Sequence, residues 1–207
     1  DDALDAMAEC EKVCRYIDLP LQHAADSVLK RMRRPGTRRT YDALLSRIRA
    51  RVPGVALRTT FIVGFPGETS ADVDVLADFV RDQRFDHLGV FTYSHEEGTR
   101  AYALDDDVAA EEKTARRDRI MGLQETLVAA RMAERIGEPV EVMIDGPSPE
   151  SPLVVVGRLE GQAPDIDASV ILTECDPSDV RQGDLVTARI VAATGYDVVA
   201  APLPVSE

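Results

Sequence analysis

Strand and helix signals alternate along the first hundred residues, and this alternation constrains the fold more than any other feature of the sequence. The run Tyr16–Pro20 is typical of a short strand, and the apolar runs Val55–Val63 and Leu88–Thr92 predict strands that are buried on both faces. Amphipathic helices are predicted between these strands. Strands separated by helices form right-handed βαβ units and a parallel sheet. We therefore expect this part of the chain to be an α/β structure.

Cap residues predict where several helices begin and end. One helix is expected to follow Thr40, and Thr69 with Asp72 resembles a capping box at the start of another. Asp107 is expected to cap a long helix that Gly137 ends.

After Gly137 the sequence changes to short strands separated by Gly, Pro and Asp turns. Five strands are predicted, near residues 140–144, 153–159, 169–173, 185–191 and 197–200. Such a series indicates a small antiparallel β-barrel. We therefore predict two domains, residues 1–137 and residues 138–207.

Charge is distributed unevenly between these two parts. The formal net charge of the 207 residues is −13. Residues 138–207 contain 13 acidic and 3 basic side chains, a net of −10, and residues 1–137 contain 24 acidic and 21 basic side chains, a net of −3. An acidic module repels phosphate and attracts basic partners. The candidate contacts to a basic substrate are Asp165, Asp167, Asp176 and Asp179.

The loops that follow the predicted strands are the first place to look for a site, because active groups of parallel sheets and barrels lie there. Gln22 and His23 follow the first strand, where a local hydrogen-bonding pair and a functional pair are both compatible with the sequence. The loop after the second strand contains Gly64, Pro66, Gly67 and Glu68. Its glycines allow close approach of a ligand to the backbone, but a tight turn without a ligand explains them equally well.

Three cysteines are too few for a disulfide framework, which fits a reducing cytoplasm. Cys10 and Cys14 alone match neither a usual iron–sulfur cluster nor a zinc site, so we expect them to be buried structural residues and predict no metal site. No apolar run approaches the roughly 20 residues that cross a bilayer, and no signal peptide is evident. A cytoplasmic protein without membrane partners is expected.

Several phrases of the sequence resemble the radical S-adenosylmethionine methylthiotransferases. They occur in the family's order and are Tyr16–His23, Met32–Gly36, Arg58–Thr69, Phe91–Ser94 and Glu97–Thr99. The phrase Tyr16-Ile-Asp-Leu-Pro-Leu-Gln-His23 is similar to the RimO type, which modifies an aspartate of a small-subunit ribosomal protein. The relatives that modify tRNA usually carry a different version of this phrase.

The resemblance implies the C-terminal half of a radical S-adenosylmethionine (β/α)6 partial TIM barrel, followed by a TRAM domain. Its cofactors would be S-adenosylmethionine and two 4Fe-4S clusters. Position 17 is Ile17, not the third cysteine of a C-x-x-x-C-x-x-C motif, so this chain is expected to ligate neither cluster. Since the sequence begins at Asp1 within a predicted helix, we expect a fragment that is inactive without the N-terminal half of the enzyme.

By the same resemblance, Gln22, His23 and the Gly64–Glu68 loop would line the cofactor side of the barrel. Phe91 and Tyr93 would lie near the adenine or the substrate. The implied reaction methylthiolates the β-carbon of an aspartate in a basic ribosomal protein; no catalytic residue is assigned. Two alternatives stay open: a tRNA methylthiotransferase, which the acidic charge of the last module disfavours, and a non-catalytic module that binds a basic protein.

Overall fold

The computed structural model describes residues 2–204, which divide into two compact units. One unit contains Asp1–Val13 and Ile17–Gln124, and the other contains Cys14–Tyr16 and Glu125–Glu207. The helices are α1 (Asp2–Glu9), α2 (Asp26–Arg31), α3 (Arg38–Arg51), α4 (Ser70–Gln83) and α5 (Ala110–Glu134), with a 3-10 turn at Arg100–Ala103. None of the described helices has the length and apolar character needed to cross a membrane. The predicted domains 1–137 and 138–207 stay a prediction.

A three-stranded sheet organises the first unit, in the order β1 (Tyr16–Asp18), β2 (Ala56–Val63), β3 (His87–Thr92). β2 and β3 are parallel, with Ile62 opposite Phe91, as the alternation of strands and helices predicts. Beyond the end of β1, Gln22 forms a further parallel bridge to Phe61. The α/β architecture is therefore confirmed.

The prediction that these strands are buried on both faces is wrong. Along β2, Phe61 and Val63 are buried, whereas Thr60 and Ile62 are half-exposed. On β3, Phe91 is 62% exposed. The buried face of β2 carries Leu57, Thr59, Phe61 and Val63, and the other face carries Arg58, Thr60 and Ile62. The sheet thus has one buried face and one open face.

Three phenylalanines form the centre of the buried face. The ring centroids of Phe61, Phe79 and Phe85 lie 5.8–6.2 Å apart, and all three pairs have edge-to-face geometry. Such pairs contribute about 0.5–1.5 kcal/mol each beyond their burial. The β2 strand and the α4 helix are joined through this cluster.

Side-chain caps set the starts of two helices. Thr69 and Asp72 form the predicted capping box of α4. Thr37 forms the equivalent box with Thr40, so α3 begins before Thr40 rather than after it. The expected cap of α5 is also wrong: α5 begins at Ala110, and the Asp107 carboxylate accepts the Gly67 N–H at 2.7 Å instead.

The second unit is a closed five-stranded barrel whose interior is apolar. Its strands are β4 (Pro139–Ser148), β5 (Ser151–Arg158), β6 (Val170–Leu172), β7 (Leu185–Thr194) and β8 (Asp197–Pro202). Each predicted strand is present. Val142, Ile144, Val155 and Ile190 are among the residues that fill the interior.

The barrel order is β4-β5-β6-β8-β7, and the prediction of a wholly antiparallel barrel is wrong at one pair. β6 and β8 are parallel, with Ile171 opposite Val199. An odd number of strands cannot alternate in direction all the way around a ring, so at least one neighbouring pair must be parallel. The remaining pairs are antiparallel.

Candidate functional site

The open face of the sheet presents a row of residues at the carboxyl ends of its strands. Ile62 is paired with Phe91, and the Ile62 N–H donates to the Gln22 carbonyl at 2.8 Å. Ile62 and Phe91 are therefore direct neighbours across β2 and β3, and Gln22, which bridges to Phe61, lies on the adjoining segment one position away from Ile62. Because this edge is where parallel sheets bind ligands, we call these three residues the ligand-facing row.

Gln22 has an unusual backbone conformation for a residue with a side chain. Its φ is 71°, in the left-handed region that favours glycine. Its N–H donates to the Thr60 carbonyl at 2.9 Å, and its carbonyl accepts from Ile62. These two bonds hold the strained residue against β2, and such strain is concentrated at functional sites.

The Gly64–Glu68 loop has a fixed shape that requires glycine at position 64. Gly64 has a φ of +73°, and a Cβ atom there would lie 2.3 Å from the Lys113 Cγ atom. Pro66 and Glu68 are buried, whereas Gly67 is half-exposed and donates to Asp107. The loop is therefore built around contacts with α5, and its expected contact with a cofactor stays a prediction.

Glu68 accepts contacts from three different segments beneath this loop. Its Oε1 atom accepts the Gly64 N–H and an Arg116 N–H, each at 2.9 Å. Its Oε2 atom lies 3.4 Å from the His23 Nε2 atom. The other face of Arg116 pairs with Glu112 at 2.9 Å. We call His23, Glu68 and Arg116 the buried network.

The protonation states in this network follow from its donors. The Ala25 N–H donates to the His23 Nδ1 atom at 3.0 Å, so the proton of a neutral ring is on Nε2 and faces Glu68. Burial raises the pKa of Glu68, but the nearby His23 ring, the hydrogen bond from Gly64 and the contact with Arg116 outweigh this, so its pKa lies below the ordinary 4.5. Glu68 is therefore an ionised acceptor.

Tyr93, which follows β3, is packed between apolar and charged groups. Its ring meets Phe65 edge-to-face at 5.1 Å, and the Lys113 Nζ atom lies 5.1 Å from the ring centroid. Its hydroxyl lies 3.2 Å from the His95 Nδ1 atom. Burial, together with the negative charges of Asp106 and Glu96, raises the pKa of Tyr93. The hydroxyl is therefore protonated at neutral pH.

The four acidic candidates of the barrel do not form one cluster. Asp165 and Asp167 precede β6, whereas Asp176 and Asp179 follow it, so the two pairs lie at opposite ends of that strand. Each pair includes one carboxylate that accepts local hydrogen bonds; Asp165, Asp176 and Asp179 are exposed, and Asp167 is half-buried.

The carboxylates of Asp167 and Asp176 have local partners. The Asp167 Oδ2 atom accepts the Tyr16 hydroxyl and the Ala163 N–H, both at 2.8 Å. Asp176 accepts from the Ser178 N–H and hydroxyl at 2.8 and 2.7 Å, which lowers its pKa. A role of the four aspartates in substrate binding stays a prediction, and Asp165 and Asp179 are the better placed.

The expectation that Cys10 and Cys14 are buried is wrong. Both thiols are exposed, because α1 buries none of its residues and the following turn leaves the segment uncovered. Within residues 2–204, no group of three or more His, Cys, Asp or Glu side chains is arranged to hold a metal ion.

Three further residues belong to the candidate site but were not predicted from the sequence. Ile62 completes the ligand-facing row, and the sequence carried no signal for it, because Phe61, Ile62 and Val63 are all apolar. Lys113 and Arg116 come from α5, where both are less than 10% exposed. Their spacing of three residues places them on one helix face, but nothing local distinguishes them from solvated cations.

Two family models match separate parts of the chain, and relatives match nearly all of it. The Radical SAM superfamily matches residues 1–80, and the TRAM domain matches residues 136–203. Ribosomal protein uS12 methylthiotransferase RimO of Solibacter usitatus is 44% identical over 99% of this chain and 44% of its own length. Proteins of the same name from Pelotomaculum thermopropionicum and Myxococcus xanthus are 42% and 40% identical, over 96% and 97% of this chain and 44% and 41% of their own lengths.

The fold and the two matches define the class as a radical S-adenosylmethionine segment followed by a TRAM barrel. The relatives, which match nearly the whole chain, narrow this class to one family. Over nearly its whole length the chain is similar to the radical S-adenosylmethionine methylthiotransferases of RimO type, in agreement with the sequence resemblance. It spans less than half the length of these relatives.

Proposed function

We propose that this chain is part of an enzyme that methylthiolates the β-carbon of an aspartate in a small-subunit ribosomal protein. The observation that carries the proposal is the 40–44% identity to proteins named for uS12 methylthiotransfer, which extends through both the sheet unit and the barrel. Because the identity covers both parts, one enzyme accounts for the whole chain. A cytoplasmic location accords with a ribosomal substrate.

The residues of the sheet unit fit the nucleoside of S-adenosylmethionine. The ligand-facing row offers an exposed aromatic ring at Phe91, an apolar side chain at Ile62 and an amide at Gln22. These groups can stack on a base, pack against a ribose and hydrogen-bond a polar edge. When bound at a reduced cluster, S-adenosylmethionine supplies a radical that removes hydrogen from carbon; the chain's own residues bind and orient the nucleoside.

The same residues do not fit an iron–sulfur cluster. A cluster needs several converging thiolates, and the cysteines of the chain are Cys10, Cys14 and Cys175, which form no group of three within the described residues. We assign the ligands of both 4Fe-4S clusters to parts of the enzyme outside these 207 residues. The chain alone is then inactive.

Charge supports a polypeptide substrate over a nucleic acid. Residues 138–207 carry a net charge of −10. Phosphate contacts dominate nucleic-acid affinity, so an RNA-binding module is normally basic. Ribosomal proteins are basic, and complementary charge increases the rate and specificity of their encounter with an acidic surface. A barrel with this charge therefore favours a ribosomal protein over tRNA.

The test uses the full-length enzyme with iron and sulfide reconstituted. It is incubated with S-adenosylmethionine and either uS12 or total tRNA, and both products are analysed by mass spectrometry. We expect a methylthio group on one aspartate of uS12 and none on tRNA. Modification of tRNA alone would establish the rival enzyme, and no cleavage of S-adenosylmethionine would favour the non-catalytic binding module.

A further inference from the structure

The buried network contains three titratable side chains in a place where charge is costly. The side chains of His23 and Glu68 are 0% exposed, and that of Arg116 is 10% exposed. A buried ion pair is often no more stabilising than apolar residues of the same volume. The network therefore needs an explanation other than stability.

The position of the buried network suggests such an explanation. Each of its residues contacts or belongs to a segment that carries the ligand-facing row or the loop beside that row. His23 is the residue after Gln22, and Glu68 holds the N–H of Gly64, the first residue after β2. Arg116 links Glu68 to α5 by donating to the Glu68 carbonyl at 3.0 Å and to its carboxylate. None of the three side chains is exposed enough to contact a ligand.

We propose that His23, Glu68 and Arg116 are positioning residues that hold Gln22 and the Gly64 backbone in the geometry that binds the nucleoside of S-adenosylmethionine. This inference rests on the proposed function, because the nucleoside is the ligand assigned to the row. It assigns His23 and Glu68 an indirect role in place of the direct contact that the sequence analysis expected.

The hydrogen-bond directions explain why the network depends on a carboxylate. Both oxygens of Glu68 face N–H groups: Gly64 and Arg116 donate to Oε1, and the Nε2 atom of His23 lies 3.4 Å from Oε2, without a hydrogen bond between these two atoms. An amide at position 68 would therefore place its NH2 group against a donor in either orientation. His23 cannot relieve this conflict by changing tautomer, because its Nδ1 atom would then carry a proton facing the Ala25 N–H.

The experiment compares Glu68→Gln with Glu112→Gln in the full-length enzyme. Glu112 is the outer, half-exposed partner of Arg116, so its substitution removes a carboxylate from the same arginine without disturbing either loop. The probe is S-adenosylhomocysteine, with its Kd measured by titration calorimetry at a temperature where all variants are folded by circular dichroism. We expect Glu68→Gln to weaken binding by about tenfold or more and Glu112→Gln by less than about twofold, a difference near 1.4 kcal/mol.

Amide hydrogen exchange provides a readout that a general loss of stability would not produce. In Glu68→Gln, exchange should accelerate selectively at Gln22, His23 and Gly64, while the amides of β3 keep their protection. Arg116→Lys keeps the positive charge but cannot contact Glu68 and Glu112 at the same time through a guanidinium group. This variant should give an intermediate Kd.

The outcomes separate the two proposals. If the wild-type enzyme does not bind the probe, the nucleoside site and the proposed function fail. If wild type binds and folded Glu68→Gln binds equally well, the positioning role is wrong while the function stands. If neither Glu68→Gln nor Arg116→Lys folds, the network is a folding requirement, which also overturns the positioning role.

Discussion

The two units use polar residues in opposite ways. Among the described residues, every buried polar or charged side chain lies between His23 and Gln124, in the sheet unit. The barrel interior is wholly apolar, and its excess of carboxylates is outside. The sheet unit thus uses directional contacts to fix loops, whereas the barrel uses non-directional packing to present a charged surface.

The comparison of the two units predicts that substitution of Arg116 causes the largest loss of stability. Arg116→Met would leave the Glu68 carboxylate buried without its cation, which typically costs about 3–5 kcal/mol. Arg119→Met is the matched control, since Arg119 lies one helical turn further on and pairs with the exposed Asp74 at 2.7 Å. That exposed pair should contribute about 0–1 kcal/mol. Urea denaturation measures both variants, and equal losses would show that burial of the network has no energetic consequence.

In the barrel the corresponding large effect should come from an apolar residue. Ile190 is 1% exposed and packs in the barrel interior, so Ile190→Ala should lower the free energy of unfolding by about 2–5 kcal/mol. Its neighbour Val191 is 45% exposed, and Val191→Ala should change stability by no more than about 0.5 kcal/mol. Unfolding of the barrel monitored by hydrogen exchange would test this pair. A large effect at Val191 would mean that its exposed face is covered by another part of the enzyme.

The same contrast explains how much the sequence could predict. Barrel strands were identified correctly because short apolar runs such as Val142–Ile144 are separated by Gly, Pro and Asp turns, and both signals are visible in a short window. The capping box of Thr69 and Asp72 is similarly local. The parallel pair β6–β8 was missed because strand signals carry no direction, although five strands in a ring require one such pair.

Local sequence patterns could not predict the buried network, and the reason is physical. Glu68 and Arg116 are 48 residues apart, and each looks like an ordinary solvated charge in its own segment. Asp107 shows the same difficulty: its side chain is of a type favoured at helix caps, but a donor 40 residues away takes it. Sequence could indicate which loops follow the strands, but not which buried groups contact those loops.

A third prediction concerns the pH dependence of the two units. The pKa of Glu68 is lowered in the folded state by His23, Gly64 and Arg116, so its contribution to stability is full above the unfolded value near 4.5 and is lost as pH falls through the folded pKa. The stability difference between wild type and Glu68→Gln should therefore shrink below about pH 4.5. Asp176 has a lowered pKa too, but it is exposed, so Asp176→Asn should show a smaller pH-dependent difference. A pH-independent difference for Glu68→Gln would mean that the carboxylate is not ionised in the folded protein.

The smallest effect on stability, and the sharpest test of the barrel's role, comes from reversing its surface charge. Asp165→Lys with Asp179→Lys changes two exposed carboxylates at opposite ends of β6, whereas Asp167 and Asp176 are left intact because they hold their own loops. Since both sites are solvated, unfolding should shift by no more than about 0.5 kcal/mol each. At low salt the double variant should bind uS12 more weakly than the unchanged full-length enzyme does. This difference in affinity should disappear as ionic strength rises, because exposed charges are screened.

Asp197→Lys combined with Glu141→Lys provides a control of equal net charge on the strands β8 and β4. If both double variants weaken binding equally, the total charge of the barrel attracts the substrate; if only the first does, the ends of β6 contact it; and if neither does, the acidic barrel surface is not the docking surface for the ribosomal protein.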